Sequence, residues 1–214
     1  MFEIMKQRHS VRSFQDKKIE EEKRAALTQL VAQINEKSGL NIQACFDEPE
    51  AFDTFLAHYG KFEGVTNYVV LIGKKRMDEE IGYFGEQIVL HAQQLGLNTC
   101  WVALTYGKKK TKVAMKKGEK IYCTLALGYG KTQGVAHKSK SVQQVSNASD
   151  QTPDWFNKGV EAALLAPTAM NQQKFKFIYD NKKATAKSGT GFYTKIDLGI
   201  AKCHFELAAE QKID

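Results

Sequence analysis

The apolar residues of this chain recur with two different periods, and the longer period predicts amphipathic helices. Within residues 15–39, apolar positions three and four residues apart form one stripe, and Gly39 is suited to end the helix. A second helix of this kind is predicted over residues 77–97. Helices are also predicted over residues 154–167 and 195–211. An amphipathic helix has one face for a core and one for water.

Short runs rich in β-branched and aromatic residues predict strands. They cover residues 67–73, 120–130 and 175–180. Residues 130–154 are polar and almost free of bulky side chains, so they are the best candidate for a linker. The helices and strands together predict an α+β fold, in which a mixed or antiparallel sheet is flanked by helices around one core, as a single domain over residues 1–214.

The order of these elements repeats weakly, which indicates two related halves. A helix, a strand and a closing helix occur in residues 1–145 and again in residues 150–214. Near the start of each closing helix an acidic residue, an apolar residue and a glycine follow one another, at residues 80–82 and 197–199. Duplication and chance both account for so short a similarity, and two repeats do not make a solenoid.

The composition is that of an ordinary globular protein, with 43% hydrophobic and 26% charged residues. No apolar run is long enough to span a bilayer, and the N-terminus lacks the apolar segment of a signal peptide, so we expect a cytoplasmic protein. The four cysteines are far apart, which favours buried thiols over a disulfide framework or a zinc site. The net charge of +7 fits an anionic partner, although a solvated lysine-rich face is the more common cause.

Two short segments carry candidate chemistry. The segment RHSVRSF, residues 8–14, places two guanidinium groups, an imidazole and hydroxyls side by side, and these groups bind phosphate. A solvated N-terminal arm explains the same residues. The segment APTAMNQQKF, residues 166–175, carries amides that donate and accept hydrogen bonds, which suits the edge of a heterocyclic ring. An ordinary helix-to-strand turn is the simpler explanation.

A third segment, LALGYGKTQG at residues 125–134, resembles a nucleotide-binding loop only superficially. Its glycines are spaced one residue too far apart for a dinucleotide-binding loop, and a P-loop requires glycine where Leu125 stands. We therefore reject both loop types. The histidines have no metal-ligand spacing, and no catalytic triad is recognisable from the order of residues.

Together these segments resemble the FMN-dependent nitroreductase superfamily. That family opens with a similar arginine-rich segment, and it has an A-P-S-A-x-N-x-Q segment, a helix that ends L-G-L-G-T-x-W, and a strand that ends A-L-G-Y before a basic pair. The matching positions here are Arg8, His9, Ser10, Val11, Arg12 and Phe14; Ala166, Pro167, Ala169, Asn171 and Gln173; residues 95–104 and 125–129; and Lys138 and Lys140. Thr168 replaces the usual serine, Asn98 replaces a glycine, and Lys174 and Phe175 stand where Pro and Trp are usual.

The resemblance implies FMN as cofactor, NAD(P)H as electron donor, and nitroaromatic or quinone-type acceptors reduced in a ping-pong cycle. It implies no catalytic side chain, because the flavin does the chemistry. The implied cofactor-binding residues are Arg8, His9, Ser10, Arg12, Lys138 and Lys140 at the phosphate and ribityl chain; the backbone of Val102, Ala103 and Leu104 near the flavin N5; and Asn171, Pro167, Thr168 and Met170 at the pyrimidine end and pocket wall.

The order of the segments departs from the family. The A-P-S-A-x-N segment usually follows the first helix, whereas here it lies near the C-terminus. The usual enzyme is an interlocked homodimer with two flavins at the subunit interface. A rearranged chain with two similar halves resembles the single-chain branch of the superfamily, which implies a monomeric pseudo-dimer. Its implied partner is a small-molecule electron acceptor, with neither a membrane nor a nucleic acid expected.

Two other hypotheses stay open. The first is a flavin-binding protein without turnover. Flavin that stays bound and is not reduced by NAD(P)H would favour this hypothesis. The second is a basic binding module for an anionic partner, with a decayed flavin site. Salt-sensitive binding of nucleic acid, without bound flavin, would favour this hypothesis.

Overall fold

The computed structural model of the protein describes residues 1–213, which form seven α-helices, six β-strands and two short 3-10 turns. The helices are α1 Phe2–Gln7, α2 Glu21–Ser38, α3 Phe55–Tyr59, α4 Asp78–Gln94, α5 Val142–Val145, α6 Asp154–Ala163 and α7 Thr194–Ala209. The strands are β1 Gln43–Cys45, β2 Asn67–Lys74, β3 Asn98–Val102, β4 Glu119–Gly128, β5 Phe175–Asp180 and β6 Lys183–Ser188. The 3-10 turns are Lys108–Lys110 and Ala169–Asn171.

The predicted α+β class is confirmed, and the paired strands are antiparallel. The four predicted helices are present as α2, α4, α6 and α7, and the three predicted strands as β2, β4 and β5. Gly39 ends α2 with φ 71° and donates its N–H to the carbonyl oxygen of Asn35. The short helix α5 lies within the predicted linker. Strands β1, β3 and β6 were not predicted, because none of them contains a β-branched run.

The chain forms two compact units that are both discontinuous in sequence. The sheet unit contains residues 8–77 and 88–135, and the helical unit contains residues 1–7, 78–87 and 136 onward. The change from the sheet unit to the helical unit after residue 135 falls within the predicted linker. The relation between residues 1–145 and 150–214 as two halves stays a prediction.

The sheet unit is built on one antiparallel sheet with strand order β1-β2-β4-β3. The two central strands are buried along almost their whole length, which explains why their sequences are continuous apolar runs. They pair from Asn67 opposite Leu127 to Lys74 opposite Glu119, with one irregularity after Leu71. One cluster of buried side chains fills the core of this unit; its largest members include Phe14, Phe52, Phe62, Tyr68, Ile72 and Tyr106.

The helical unit packs α6 and α7 with the β5-β6 hairpin around aromatic side chains. The rings of Phe177 and Phe205 stack with centroids 4.9 Å apart, and Phe156 meets Phe205 edge-on at 5.6 Å. Beside them, His204 Nε2 lies 2.9 Å from a carboxylate oxygen of Glu86, and both side chains are fully buried. This unit therefore has its own core.

Within the helical unit, α7 crosses the first part of α4 at two glycines. A Cβ atom added to Gly82 would lie 2.0 Å from the carbonyl oxygen of Ile196, three residues before Gly199. A Cβ atom added to Gly199 would lie 2.0 Å from the carbonyl oxygen of Glu79, three residues before Gly82. The contact is reciprocal, and only glycine allows the two backbones to approach so closely.

Candidate functional site

The arginine segment, residues 8–14, runs beside the edge strand β3 in the sheet unit. Ser10 and Thr99 form a parallel bridge, and the Val11 N–H donates to the carbonyl oxygen of Thr99 at 3.0 Å. Further along, the Phe14 N–H donates to the carbonyl oxygen of Glu63, also at 3.0 Å. Val11 and Phe14 are buried in the core of the unit. Interpreting this segment as a solvated arm is therefore wrong.

The polar side chains of the arginine segment differ in exposure. Arg8 is only 3% exposed, His9 and Ser10 are half-buried, and Arg12 is exposed. The Arg12 guanidinium lies over the ring of Phe62, 5.9 Å from its centroid, so a neutral group helps to position it. Burial lowers the pKa of His9, and the charge of Arg8 lowers it further. The segment thus presents a guanidinium, a hydroxyl and an imidazole that is less basic than usual.

The glycine turn after β4 packs against the arginine segment. A Cβ atom on Gly130 would lie 2.9 Å from Cγ1 of Val11, and one on Gly134 would lie 2.8 Å from Cβ of His9. Gly134 also has φ 71°, a backbone conformation that favours glycine. In sequence these glycines resemble a nucleotide-binding loop. In the structure Gly130 and Gly134 allow the turn to pack closely against the arginine segment.

Asn98 ties the start of β3 to the same turn. The Gly130 N–H donates to Oδ1 of Asn98 at 2.9 Å, and Nδ2 of Asn98 donates to Oε1 of Gln133 at 3.0 Å. Asn98 is buried, so these bonds satisfy an amide that would otherwise be costly. Sequence reasoning noted Asn98 only as a departure from the family pattern and gave no sign of this role.

The other predicted residues of the sheet unit lie where β3 ends. Val102 is the buried last residue of the strand, Ala103 is half-buried and Leu104 is exposed. Ala103 lies four positions after Thr99, which pairs with the arginine segment, and four steps of extended chain span roughly 13 Å. One strand therefore carries two of the predicted contact groups, at fixed positions along its length.

In the helical unit, Lys138, Lys140 and Asn171 belong to one hydrogen-bonded network centred on the buried Gln173. The Gln173 amide donates to the carbonyl oxygen of Lys138 and to Oδ1 of Asn171, at 2.8 and 2.7 Å. Its Oε1 accepts the Lys140 N–H at 2.8 Å, and the Asn171 amide also donates to the Lys138 carbonyl, at 2.8 Å. Both groups of the Asn171 side chain thus hold the turn, and each has capacity for one further bond.

The two lysines of the basic pair have different roles in this network. The Lys140 ammonium donates to the carbonyl oxygens of Gln172 and Gln173, both at 2.9 Å. Lys138 contributes its carbonyl oxygen, whereas its side chain is exposed. Lys140 therefore fixes the turn, and Lys138 presents its charge to solvent.

The APTAMN turn, residues 166–173, has an unusual backbone. Met170, Asn171 and Gln173 have φ between 45° and 52°, a region that asparagine tolerates better than the other two. The Thr168 hydroxyl accepts the Gln173 N–H at 3.0 Å and helps to hold this conformation. Pro167 and Thr168 are half-buried, whereas Met170 is 95% exposed. A strained turn held by buried partners is typical of functional sites.

Asp197, at the start of α7, holds the APTAMN turn through its carboxylate. It was not predicted as a site residue. Its carboxylate accepts the Ala169 N–H at 2.9 Å and the Gln172 amide at 2.7 Å. Burial raises the pKa of Asp197 to about 6, although both hydrogen bonds act in the opposite direction. An acidic residue in the first turn of a helix is common, so the sequence gave no sign of its burial.

The structure thus divides the predicted residues between the two units. The sheet unit holds Arg8, His9, Ser10, Arg12, Val102, Ala103 and Leu104, and the helical unit holds Lys138, Lys140, Pro167, Thr168, Met170 and Asn171. Across residues 1–213, no group of three or more His, Cys, Asp or Glu side chains could hold a metal ion. The four cysteines are buried free thiols, as predicted. Every helix in the described part of the chain is too short or too polar to cross a bilayer.

A family model described as "Putative TM nitroreductase" matches residues 1–209. The chain belongs to the nitroreductase family. Its predicted fold and its assignment as an oxidoreductase of this family are therefore confirmed. No curated protein sequence matches the chain.

Solved structures agree with this membership of the nitroreductase family. A "putative nitroreductase" from Thermotoga maritima is 25% identical, with a TM-score of 0.70 over 97% of this chain and 82% of that one. An FMN-dependent nitroreductase from Clostridium difficile is 18% identical, with a TM-score of 0.50 over 72% and 95%. A "putative nitroreductase" from Desulfovibrio desulfuricans, solved in complex with FMN, is 12% identical, with a TM-score of 0.53 over 71% and 96%. The last two show a shared fold.

Proposed function

We propose that this nitroreductase-family protein binds FMN and uses NAD(P)H to reduce quinone-type or nitroaromatic acceptors. Family membership and the FMN complex of the Desulfovibrio desulfuricans structure support the cofactor. The observation that carries the proposal is the anchored arginine segment beside β3, with the loop at Val102–Leu104 at the end of the same strand. A phosphate and a flavin ring need two such groups of contacts at a fixed separation.

The donors of the arginine segment fit the phosphate of FMN. Arg12, Ser10 and His9 are at least partly exposed on a segment that the sheet edge and the glycine turn hold in place. A charge-assisted hydrogen bond contributes about 1.5–3 kcal/mol, and one from Arg12 would be the strongest of these contacts. Arg8 is buried, so its charge would act mainly through the surrounding protein.

In the helical unit, the chemistry of the donors also fits FMN. The exposed ammonium of Lys138 is suited to a phosphate, and the remaining N–H and lone pair of Asn171 are suited to the edge of a pyrimidine ring, which are the contacts that the family resemblance implies for them. Lys140 would hold the turn in place through its bonds to two backbone carbonyls. Thr168 and Pro167 would form part of the pocket wall.

When bound, FMN would supply two-electron transfer, so that NAD(P)H, a proton and a quinone yield NAD(P)⁺ and a quinol. The protein's own contribution would be binding, orientation and exclusion of water. A backbone N–H at Val102–Leu104 would donate a hydrogen bond near the reacting edge of the ring, and this needs no particular side chain. No side chain would act as nucleophile or general base.

We also propose that the chain acts as a monomer in which two related halves replace the two subunits of a dimer. The reciprocal crossing of α4 and α7 supports this, because Gly82 contacts the turn before Gly199 and Gly199 contacts the turn before Gly82. Identical surfaces meet in this way at a two-fold interface. Light scattering should give the mass of one chain, with one bound flavin; a stable dimer with two flavins would contradict the proposal.

The first experiment is the visible absorption spectrum after FMN has been added and unbound flavin removed. Retained flavin bands would support binding, and anaerobic bleaching by NAD(P)H would distinguish an oxidoreductase from a flavin carrier. A colourless protein would contradict the proposal and favour the basic binding module.

The phosphate contacts are tested by comparing FMN with riboflavin, which lacks the phosphate. Arg12→Gln should raise the Kd for FMN at least about tenfold and leave the Kd for riboflavin nearly unchanged, because only FMN offers the dianion. Arg76→Gln is the matched control, since Arg76 is an exposed arginine of the sheet unit outside the segment. The double variant Arg8→Gln/Arg12→Gln should lose flavin and quinone reduction. Unchanged flavin content in it would refute the site.

A further inference from the structure

Exposed apolar side chains are concentrated at one place in the sheet unit. Among residues 1–213, nine large apolar side chains are exposed, and four of these lie in α3 and in the loop after β3. They are Phe55, Leu56 and Tyr59, which are 82%, 50% and 77% exposed, and Leu104, which is 70% exposed. An apolar cluster on the surface, unlike scattered apolar residues, marks a binding site.

Helix α3 rests directly on the loop that contains Leu104. A Cβ atom on Gly60, at the end of α3, would lie 2.6 Å from Cβ of Thr105. At the other end, a Cβ atom on Gly107 would lie 2.8 Å from Cγ2 of Thr54. The Gly107 N–H also donates to the carbonyl oxygen of Ala51 at 2.7 Å. Both ends of the short helix are therefore fixed to the loop at residues 103–107.

The support beneath α3 is packed and ordered. Ala57 is fully buried, and its N–H donates to the Thr54 hydroxyl at 3.2 Å, which caps the helix. The ring of Phe52 stacks on Tyr106 at 6.2 Å and meets Phe62 edge-on at 5.4 Å. Phe55 and Tyr59 thus project from a rigid base, which reduces the entropy lost when a ligand binds to them.

We propose that Phe55, Leu56, Tyr59 and Leu104 form the binding surface for the apolar aromatic part of the electron acceptor. This inference rests on the proposed function, because that function places the loop at Val102–Leu104 beside the flavin ring. Two aromatic and two aliphatic side chains suit a fused, planar ring system, which gains from stacking as well as from burial. The acceptors that this surface favours are bicyclic quinones and nitroarenes, in preference to hydrophilic oxidants.

The kinetic test compares menadione, a naphthoquinone, with ferricyanide, a hydrophilic anion that cannot use an apolar surface. In Phe55→Ser/Tyr59→Ser, kcat/KM for menadione relative to ferricyanide should fall about tenfold, through KM, because two apolar contacts are lost. Met115→Ser is the matched control, since Met115 is an exposed apolar residue of the sheet unit in a different loop. An unchanged ratio in the double variant, or an equal fall in the control, would overturn the inference.

A binding test separates this inference from the proposed function. In saturation-transfer NMR on flavin-free protein, saturation of the aromatic side chains of the native chain should pass to menadione. The Kd for menadione should be about tenfold higher in the double variant. If the protein binds no flavin, the proposed function fails, and this measurement still decides whether the surface binds quinones. If the native chain is a dimer and the double variant a monomer, the surface is a subunit interface and the inference is wrong.

Discussion

Replacing Gly82 by alanine tests the crossing of α4 and α7, because two opposing effects predict changes of opposite sign. Alanine is the better helix former by about 1 kcal/mol, so helix propensity alone predicts stabilisation. At this position, however, the new Cβ would lie 2.0 Å from the carbonyl oxygen of Ile196 and 3.0 Å from the amide nitrogen of Ile200. Both are backbone atoms that cannot rotate away, so the helices must separate.

The magnitude follows from the distance that the helices must move. An ordinary contact begins near 3.4 Å, so a contact of 2.0 Å requires a local separation of roughly 1.4 Å. That movement would loosen the packing of buried side chains such as Ile81 and Ile200. Overpacking of this kind costs about 1–3 kcal/mol and sometimes more. A separation this large corresponds to the upper end of that range, about 3 kcal/mol, so after the gain of about 1 kcal/mol in propensity is subtracted we expect a net loss of about 2 kcal/mol in the free energy of unfolding.

Urea unfolding followed by circular dichroism measures this loss as a lower midpoint at an unchanged slope. Gly199→Ala should cost a similar amount, because its contact with Glu79 is the reciprocal one. The double variant should cost less than the sum of the two, since the helices need to separate only once. A Gly82→Ala protein as stable as the native chain, or strict additivity in the double variant, would refute the reasoning.

Three further predictions concern the candidate site. Burial raises the pKa of Asp197 to about 6, so the folded chain binds this proton more tightly than the unfolded chain. The free energy of unfolding should therefore fall by roughly 3 kcal/mol as the pH rises from about 4 to about 6. Asp197→Asn should lack that part of the pH dependence in urea titrations, and an identical profile would contradict the assignment. Asn98→Ala should destabilise by about 1–3 kcal/mol and weaken FMN binding, since the Gly130 N–H loses its acceptor; unfolding and flavin-fluorescence titrations measure both effects. Lys140→Met should speed hydrogen exchange in the APTAMN turn, whereas Lys138→Met, the matched control, should not, and equal rates in both would contradict the separate roles.

The sequence predicted the long elements of the fold well, because their periodicity depends only on local spacing. Helices α2 and α4 each extend over more than four turns, and β2 and β4 are continuous apolar runs. The pairing of the arginine segment with β3 could not be predicted in the same way. Val11 and Phe14 are three residues apart, which is not the spacing of a regular strand, and the segment is held by β3 and by Glu63 from elsewhere in the chain.

For the candidate site, the family resemblance identified which residues to consider, but the sequence did not show what each side chain does. Arg8 and Arg12 look equivalent in the motif, yet one is buried and the other exposed. Lys138 and Lys140 form a basic pair in sequence, yet only Lys140 is bound to backbone carbonyls. Which member of each pair meets solvent depends on tertiary packing. The burial of Asp197 likewise depends on residues distant in sequence.

The reciprocal glycine contact also has a consequence for how such a chain can change over time. At an interface between two identical subunits, one substitution alters both sides together, whereas Gly82 and Gly199 are separate codons. Counted from these glycines, Glu86 corresponds to Cys203, and His204 corresponds to Gln87. The buried Glu86–His204 pair therefore has no counterpart on the other side of the crossing. A single chain can carry one acid–base pair here where a symmetric assembly would have to accommodate two, and each side is free to diverge.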